Sequence, residues 1–278
     1  MSMLAEPAAV TAPQTIEPTV NYMVNDGTTL VTYVGMPGLE TKNSGTPDPH
    51  KVVMHNGRLR ADEFKLDVDG FRFIQHDTKM QNFFDEAEIK RVYYPEMIEL
   101  IKAESGAKRV VVFDHTLRTA DDALREKEKI REVVRRAHND YTEQSAPQRL
   151  KDILPDEADE LLKKRFAIIQ VRRPIRYPVE THPLAIADAR SVSTDDFVLT
   201  ERRAPGRIGQ TYTVAYSPRH KWFWFPRQAR NEALVFKVYD SAKDGRARWT
   251  AHTAFDDPTT PPNARPRESI EIRTLAMF

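Results

Sequence analysis

The sequence predicts a mainly β fold with flanking helices, of the sandwich, jelly-roll or barrel kind. Three observations carry that expectation. Short alternating or apolar stretches crowd the second half, at 196–200, 211–216, 221–225, 233–239, 249–255 and 269–275, separated by Pro, Gly and Asp turns. Helical signals are concentrated in the first half. The candidate metal ligands come from both halves, which favours one jelly roll with helical additions over two domains.

Along the chain, residues 1–20 are rich in Ala, Pro and Thr and read as a flexible N-terminal arm, with a single domain over 21–278. The arm has neither a basic n-region nor a long apolar run, so it is neither a signal peptide nor a membrane span. No other window is apolar enough to cross a bilayer, and a cytoplasmic protein is expected. Residues 29–34 and 51–54 look like strands flanking a Gly/Pro-rich loop over 35–49. Asp85 with Glu88 is an N-cap signature, Pro95 ends or restarts that helix, and Gly106 is a suitable stop. Residues 109–113 form a short apolar run suited to a buried strand.

A second helix is expected over 120–137. Thr119 and Asp122 make a capping box, and Asp121 and Asp122 favour the positive helix end. Arg135 and Arg136 suit the last turn, while Ile130, Val133, Val134 and Ala137 line one face. His138 then emerges where the chain turns into a strand. On an extended segment positions 138 and 140 point the same way, so both can reach one ion. A short helix over 156–164 leads into a strand over 166–171 and then the β-rich half.

The chain has 278 residues, enough for a substantial core, and a net charge of +1 from 42 basic and 41 acidic residues. That balance argues against a nucleic-acid surface. With no cysteine, disulfides, thiolate metal sites and a cysteine nucleophile are excluded. Aromatic strands and the arm are compatible with a homodimer.

His138-Asn139-Asp140 is the sole His-x-Asp or His-x-Glu among eight histidines. Downstream, His182 precedes Pro183 in a loop-like stretch, and His220 sits in a turn-like one. His252 lies on an alternating stretch that suits a strand. His138, Asp140 and His252 thus make a facial triad, the ligand set that holds non-haem Fe(II) with open positions. Those positions admit a 2-oxo acid and O2. The remote carboxylate of 2-oxoglutarate wants a planar, always-charged fork with a hydroxyl beside it. Arg267 and Ser269, beginning fifteen positions past His252, supply both. Arg265 competes for the role; Arg267 is preferred because Ser269 alternates with it on a strand.

Other features have structural readings beside functional ones. Asp114-His115 suits a strand end. Arg172-Arg173-Pro174 presents either a cation into the cavity or a solvated strand end. The run from Trp222 to Phe225 suits core or interface, and Asp188-Ala189-Arg190 a loop ion pair. Gly-x-Gly-x-x-Gly, P-loop, His-Glu-x-x-His and Gly-x-Ser-x-Gly motifs are all missing from the sequence.

Several longer phrases extend beyond the triad: Phe113-Asp-His-Thr-Leu-Arg118, His138-Asn-Asp-Tyr141, the stretch from Pro183 to Ser191, Lys237-Val-Tyr-Asp-Ser241, the stretch from His252 to Pro258 and Pro266-Arg-Glu-Ser-Ile-Glu271. With these the chain after about Thr29 resembles the fungal and bacterial hydroxylase/desaturase family of Fe(II)/2-oxoglutarate oxygenases. That family includes the fungal gibberellin desaturase and the cephamycin C7-hydroxylase partner protein. The resemblance implies a double-stranded β-helix (jelly roll, cupin-like) acting on a small natural-product substrate. It implies iron at His138, Asp140 and His252, and 2-oxoglutarate at Arg267. The implied chemistry is oxidative decarboxylation of 2-oxoglutarate coupled to hydroxylation, desaturation or ring closure at a C–H bond. Two alternatives stand beside it: a catalytically silent partner on the same fold, and a Zn-dependent hydrolase using the same triad.

Overall fold

The structure, a computed structural model, describes residues 12–36, 38–39, 44–128 and 130–278. Its first strands are β1 (Thr15–Ile16), β2 (Thr19–Met23), β3 (Leu30–Tyr33), β4 (Pro47–Lys51), β5 (Met54–Asn56) and β6 (Phe71–Gln75). Helical turns follow: α1 (Glu86–Glu88), a π turn at Ile89–Tyr93, and α2 (Tyr94–Ser105). Next come β7 (Arg109–Thr119), α3 (Asp122–Glu128), β8 (His138–Asn139), α4 (Ser145–Ile153) and α5 (Ala158–Leu161). The chain ends in β9 (Phe166–Pro174), β10 (Leu184–Ala187), β11 (Phe197–Ala204), β12 (Arg207–Val214), β13 (Trp222–Trp224), β14 (Glu232–Asp240), β15 (His252–Ala254) and β16 (Glu268–Met277). Among the described residues no helix is long and apolar enough to cross a membrane.

Two sheets face each other as in a jelly roll. One has nine strands, ordered β1-β5-β13-β10-β15-β8-β12-β11-β3; the other has five, ordered β6-β14-β9-β16-β7. Between them lies an apolar layer in which Ile186 and Phe223 of the larger sheet meet Ile168, Leu234, Phe236 and Leu275 of the smaller one. Alternation along each strand requires a second layer outside each sheet. Ile169, Val171, Ile270 and Ile272 pack outward against Met97, Leu100 and Ile101 of α2. Trp222, Trp224, Ala185 and Ala187 pack outward against Val20 and Tyr22 of β2, a strand that pairs with β4. Tyr22 ties this layer down, because its hydroxyl accepts the Trp222 indole N–H at 2.7 Å.

The α1–α2 region follows its sequence signals. Asp85 caps the backbone N–H groups of Ala87 and Glu88, Pro95 sits in the first turn of α2, and Gly106 closes it at φ 75°. Elsewhere the structure corrects several expectations. The helix expected over 120–137 is confined to α3, capped by Asp121, whose carboxylate accepts the Leu124 N–H; Thr119 instead ends β7. Beyond it the chain from Ile130 is extended, with Arg131 bridging to Arg118 and Arg136 to Asn21. The physical reason is tertiary: Ile130, Val133 and Val134 are β-branched and tolerate extension. An extended path of about 3.3 Å per residue carries His138 into the larger sheet where a helix of 1.5 Å per residue falls short.

The expected N-terminal arm is also revised. Residues 1–11 lie outside the described residues, but β1 pairs with β5 and both Ile16 and Val20 are buried. The expected strand over 51–54 is two, β4 ending at Lys51 and β5 beginning at Met54, with β4 entering the expected loop. The helix expected over 156–164 shrinks to a 3-10 turn at Pro155–Glu157 followed by α5, and β6 and β10 were not anticipated.

Candidate active site and metal centre

Sheet register builds the site. β15 runs antiparallel to both β10 and β8, with His252 opposite Ile186 on one side and His138 on the other. Directly opposed residues present side chains on the same face, so the two imidazoles meet inside the roll, 4.3 Å between ring centroids. Asp140 follows just beyond β8 on the same side, its carboxylate Oδ1 3.5 Å from His138 Nε2. One donor atom from each of His138, Asp140 and His252 lies within 4.8 Å of the others.

Backbone contacts orient the rings. His138 Nδ1 lies 2.7 Å from the Arg136 carbonyl and His252 Nδ1 3.0 Å from the Thr250 carbonyl. A carbonyl can only accept, so each Nδ1 carries the proton and each Nε2 keeps its lone pair for a metal. Burial, with the nearby His138, pulls His252 down to about 4, so it is neutral at ordinary pH. Burial alone raises the Asp140 carboxyl; the His138 contact and the Arg273 guanidinium outweigh it and hold it well below the usual range. Two imidazole Nε2 lone pairs and an ionised carboxylate are the donor set for a divalent first-row metal.

The smaller sheet closes the other side with a polar stripe. Gln170 of β9 donates to Asp140 Oδ2 at 2.7 Å. Arg273 of β16 donates to Glu271 at 2.6 Å and to Asp114 at 3.0 Å, with its Nε 3.8 Å from Asp140 Oδ2. The cavity is lined by these ligands with Arg118, Arg172, Arg267 and Glu271, while Val134, Leu184 and Ala254 form an apolar wall. Arg267 is 3% exposed, donates to the His182 carbonyl, and leaves its buried Nε without a partner. Burial, joined by the like charges of Arg172 and Arg118, pulls its pKa well below the usual value. A guanidinium in that state favours the arrival of an anion.

The structure therefore gathers His138, Asp140, His252 and Arg267 around one cavity. Ser269, 3% exposed, is not itself a lining residue, and its hydroxyl accepts from the lining Arg172 Nη2 at 3.3 Å. Arg265 is exposed and stacks its guanidinium on Tyr177, away from the cavity. Arg172 faces the cavity, whereas Arg173 turns to His76; neither is a solvated strand end, since both are buried. Asp114 and His115 lie within β7, not at its end. Trp222–Trp224 is core, and Asp188 pairs with Arg190. Arg118, Gln170, Glu271 and Arg273 escaped the sequence reading. A glutamine inside the apolar run over 166–171 was the one signal that pointed to Gln170.

Comparison with known proteins agrees with this geometry. Residues 20–277 match the oxidoreductase/YMDC permease-like domain family. The chain is 35% identical over 230 residues to the alpha-ketoglutarate-dependent dioxygenase phiK of a fungal species (strain ATCC 74256), covering 80% of this chain and 82% of that protein. It is 43% identical over 246 residues to the hydroxylase/desaturase asaB of Aspergillus flavus, covering 83% of this chain and 82% of that protein. The solved iron and alpha-ketoglutarate-dependent endoperoxidase NvfI superposes with a TM-score of 0.86 at 28% identity, over 95% of this chain and 98% of that one.

Proposed function

The chain belongs to the hydroxylase/desaturase family of Fe(II)/2-oxoglutarate-dependent dioxygenases, and from this premise we propose that His138, Asp140 and His252 hold its iron while Arg267 and Ser269 receive the remote carboxylate of 2-oxoglutarate. The protein is an oxygenase of secondary metabolism using Fe(II), 2-oxoglutarate and O2 on a small molecule. The substrate we propose is a natural product oxidised at an unactivated C–H bond. The observation that carries the site assignment is the convergence of an oriented His-Asp-His cluster and buried guanidinia on one cavity.

The residues present fit the iron. Their donors converge within 4.8 Å, the Nδ1 contacts free both Nε2 atoms, and the Arg267 Nε is orphaned where a dicarboxylate would end. Ferrous iron, once bound, supplies the dioxygen activation that couples 2-oxoglutarate decarboxylation to substrate oxidation. The chain's own residues do the rest. The Arg136 and Thr250 carbonyls fix the imidazole tautomers, and Gln170 holds Asp140 with Oδ1 turned toward His138. Arg267 fixes the far end of the 2-oxo acid, while Val134, Leu184 and Ala254 provide an apolar wall for a substrate C–H bond.

The test is oxygen-dependent succinate formation together with iron content. Wild type should bind one iron and form succinate. His252→Ala and Asp140→Ala should lose both by at least about 100-fold while retaining the β-rich circular dichroism spectrum. Succinate formation with normal iron content in His252→Ala contradicts the assignment.

A further inference from the structure

We infer that Arg172 is a second guanidinium for the remote carboxylate of 2-oxoglutarate, forming with Arg267 and Ser269 one clamp that selects a dicarboxylate. This rests on the reading of the site given above and adds a specificity-determining residue to it.

β9 and β16 are antiparallel, with Arg172 opposite Glu271 and Pro174 opposite Ser269. Arg172 therefore shares the inward face with Ser269 and Glu271, and its Nη2 reaches the Ser269 hydroxyl at 3.3 Å. Arg267 precedes Ser269 by two positions and lines the same cavity.

Charge accounting points the same way. Glu271 accepts a hydrogen bond from Arg273, which also donates to Asp114 and to the Thr116 hydroxyl. Among the described residues no carboxylate lies within ion-pair distance of Arg172, although its side chain is almost wholly buried at 5% exposure. A buried, unpaired guanidinium is costly to keep, and burial pulls this one down to about 10 against the opposing charge of Glu271. Arg118 also lines the cavity but is half-buried and donates to the Glu132 carbonyl at 2.7 Å, so it is already engaged at the rim. Two forks around one carboxylate match its roughly four lone-pair directions, with the Ser269 hydroxyl holding Arg172 in place.

The test compares two ligands by anaerobic calorimetry of the iron-loaded protein. The first is 2-oxoglutarate; the second is its 5-methyl ester, which keeps the chelating end and removes the remote charge. Arg172→Met should weaken 2-oxoglutarate by about 10- to 100-fold and leave the ester within about twofold. Arg172→Lys, which restores charge without the fork, should fall between wild type and Arg172→Met. Unchanged 2-oxoglutarate affinity, or equal loss for both ligands, overturns the inference. If Arg172→Met does not fold, the Lys variant decides alone: a loss confined to 2-oxoglutarate supports the clamp, and no loss or an equal loss overturns it. Wild-type protein that binds iron but not 2-oxoglutarate overturns the broader reading instead, a result distinct from any effect of Arg172.

Discussion

Gln170 is the point where the smaller sheet touches the proposed metal centre. Its amide donates to Asp140 Oδ2, from full burial, at 2.7 Å. Such outer contacts orient first ligands, and their loss typically costs 10- to 100-fold in metal affinity. Gln170→Leu should therefore weaken iron binding by about that factor, read by competition with a colorimetric chelator; unchanged affinity means that Asp140 is held by its own backbone. The clustering of His138, Asp140 and His252 was legible in the sequence because candidate metal ligands come as residue types at fixed offsets. Gln170 and Glu271 were not, and Arg172 was legible only as one of two alternatives, a cavity cation or a solvated strand end. A strand's period of two says which residues share a face but not which face is inward, and on β9 all nine residues are buried, so no exposed partner sets the phase.

At the scale of elements, the layer outside the larger sheet depends on one shared hydroxyl. Tyr22 of β2 accepts the Trp222 indole N–H at 2.7 Å and lies 3.3 Å from His220 Nδ1. Tyr22→Phe leaves both groups buried without that partner, a loss of about 1–3 kcal/mol in urea unfolding. A change below about 0.5 kcal/mol would show that the stacked rings, not the hydroxyl, hold the layer. The strands of the second half were readable because alternation and turn residues agree there. The segment after α3 was not. Its capping residues and apolar spacing fit a helix, but no residue of α3 is buried and Ile130 onward is drawn into pairing with β7 and β2. Tertiary context overrode local preference where the chain had to deliver His138.

Across the whole molecule, buried neutral histidines couple stability to pH. Burial, joined by the neighbouring His138, lowers His252 to about 4, and burial likewise lowers His76, His182 and His220. The unfolded chain binds these protons first as pH falls below about 6.5, so the folded state loses ground between about 6.5 and 4. His252 alone accounts for roughly 3 kcal/mol of that loss. Asp140 and Glu271, both depressed, add to it only at still lower pH, as their folded-state values are crossed. Metal-free protein should therefore show a urea midpoint that declines steadily from pH 7 to pH 5. A flat midpoint across that range would mean that the histidines protonate without unfolding cost.

The proposal that one cavity between the two sheets binds iron and 2-oxoglutarate together rests on the convergence of His138, Asp140, His252 and Arg267. Its most direct test is an anaerobic titration of metal-free protein with Fe(II) and 2-oxoglutarate, followed in the visible spectrum. Wild type should show a weak charge-transfer band that bleaches on exposure to oxygen and is absent from His252→Ala. Iron bound at full occupancy with no band in wild type would contradict it.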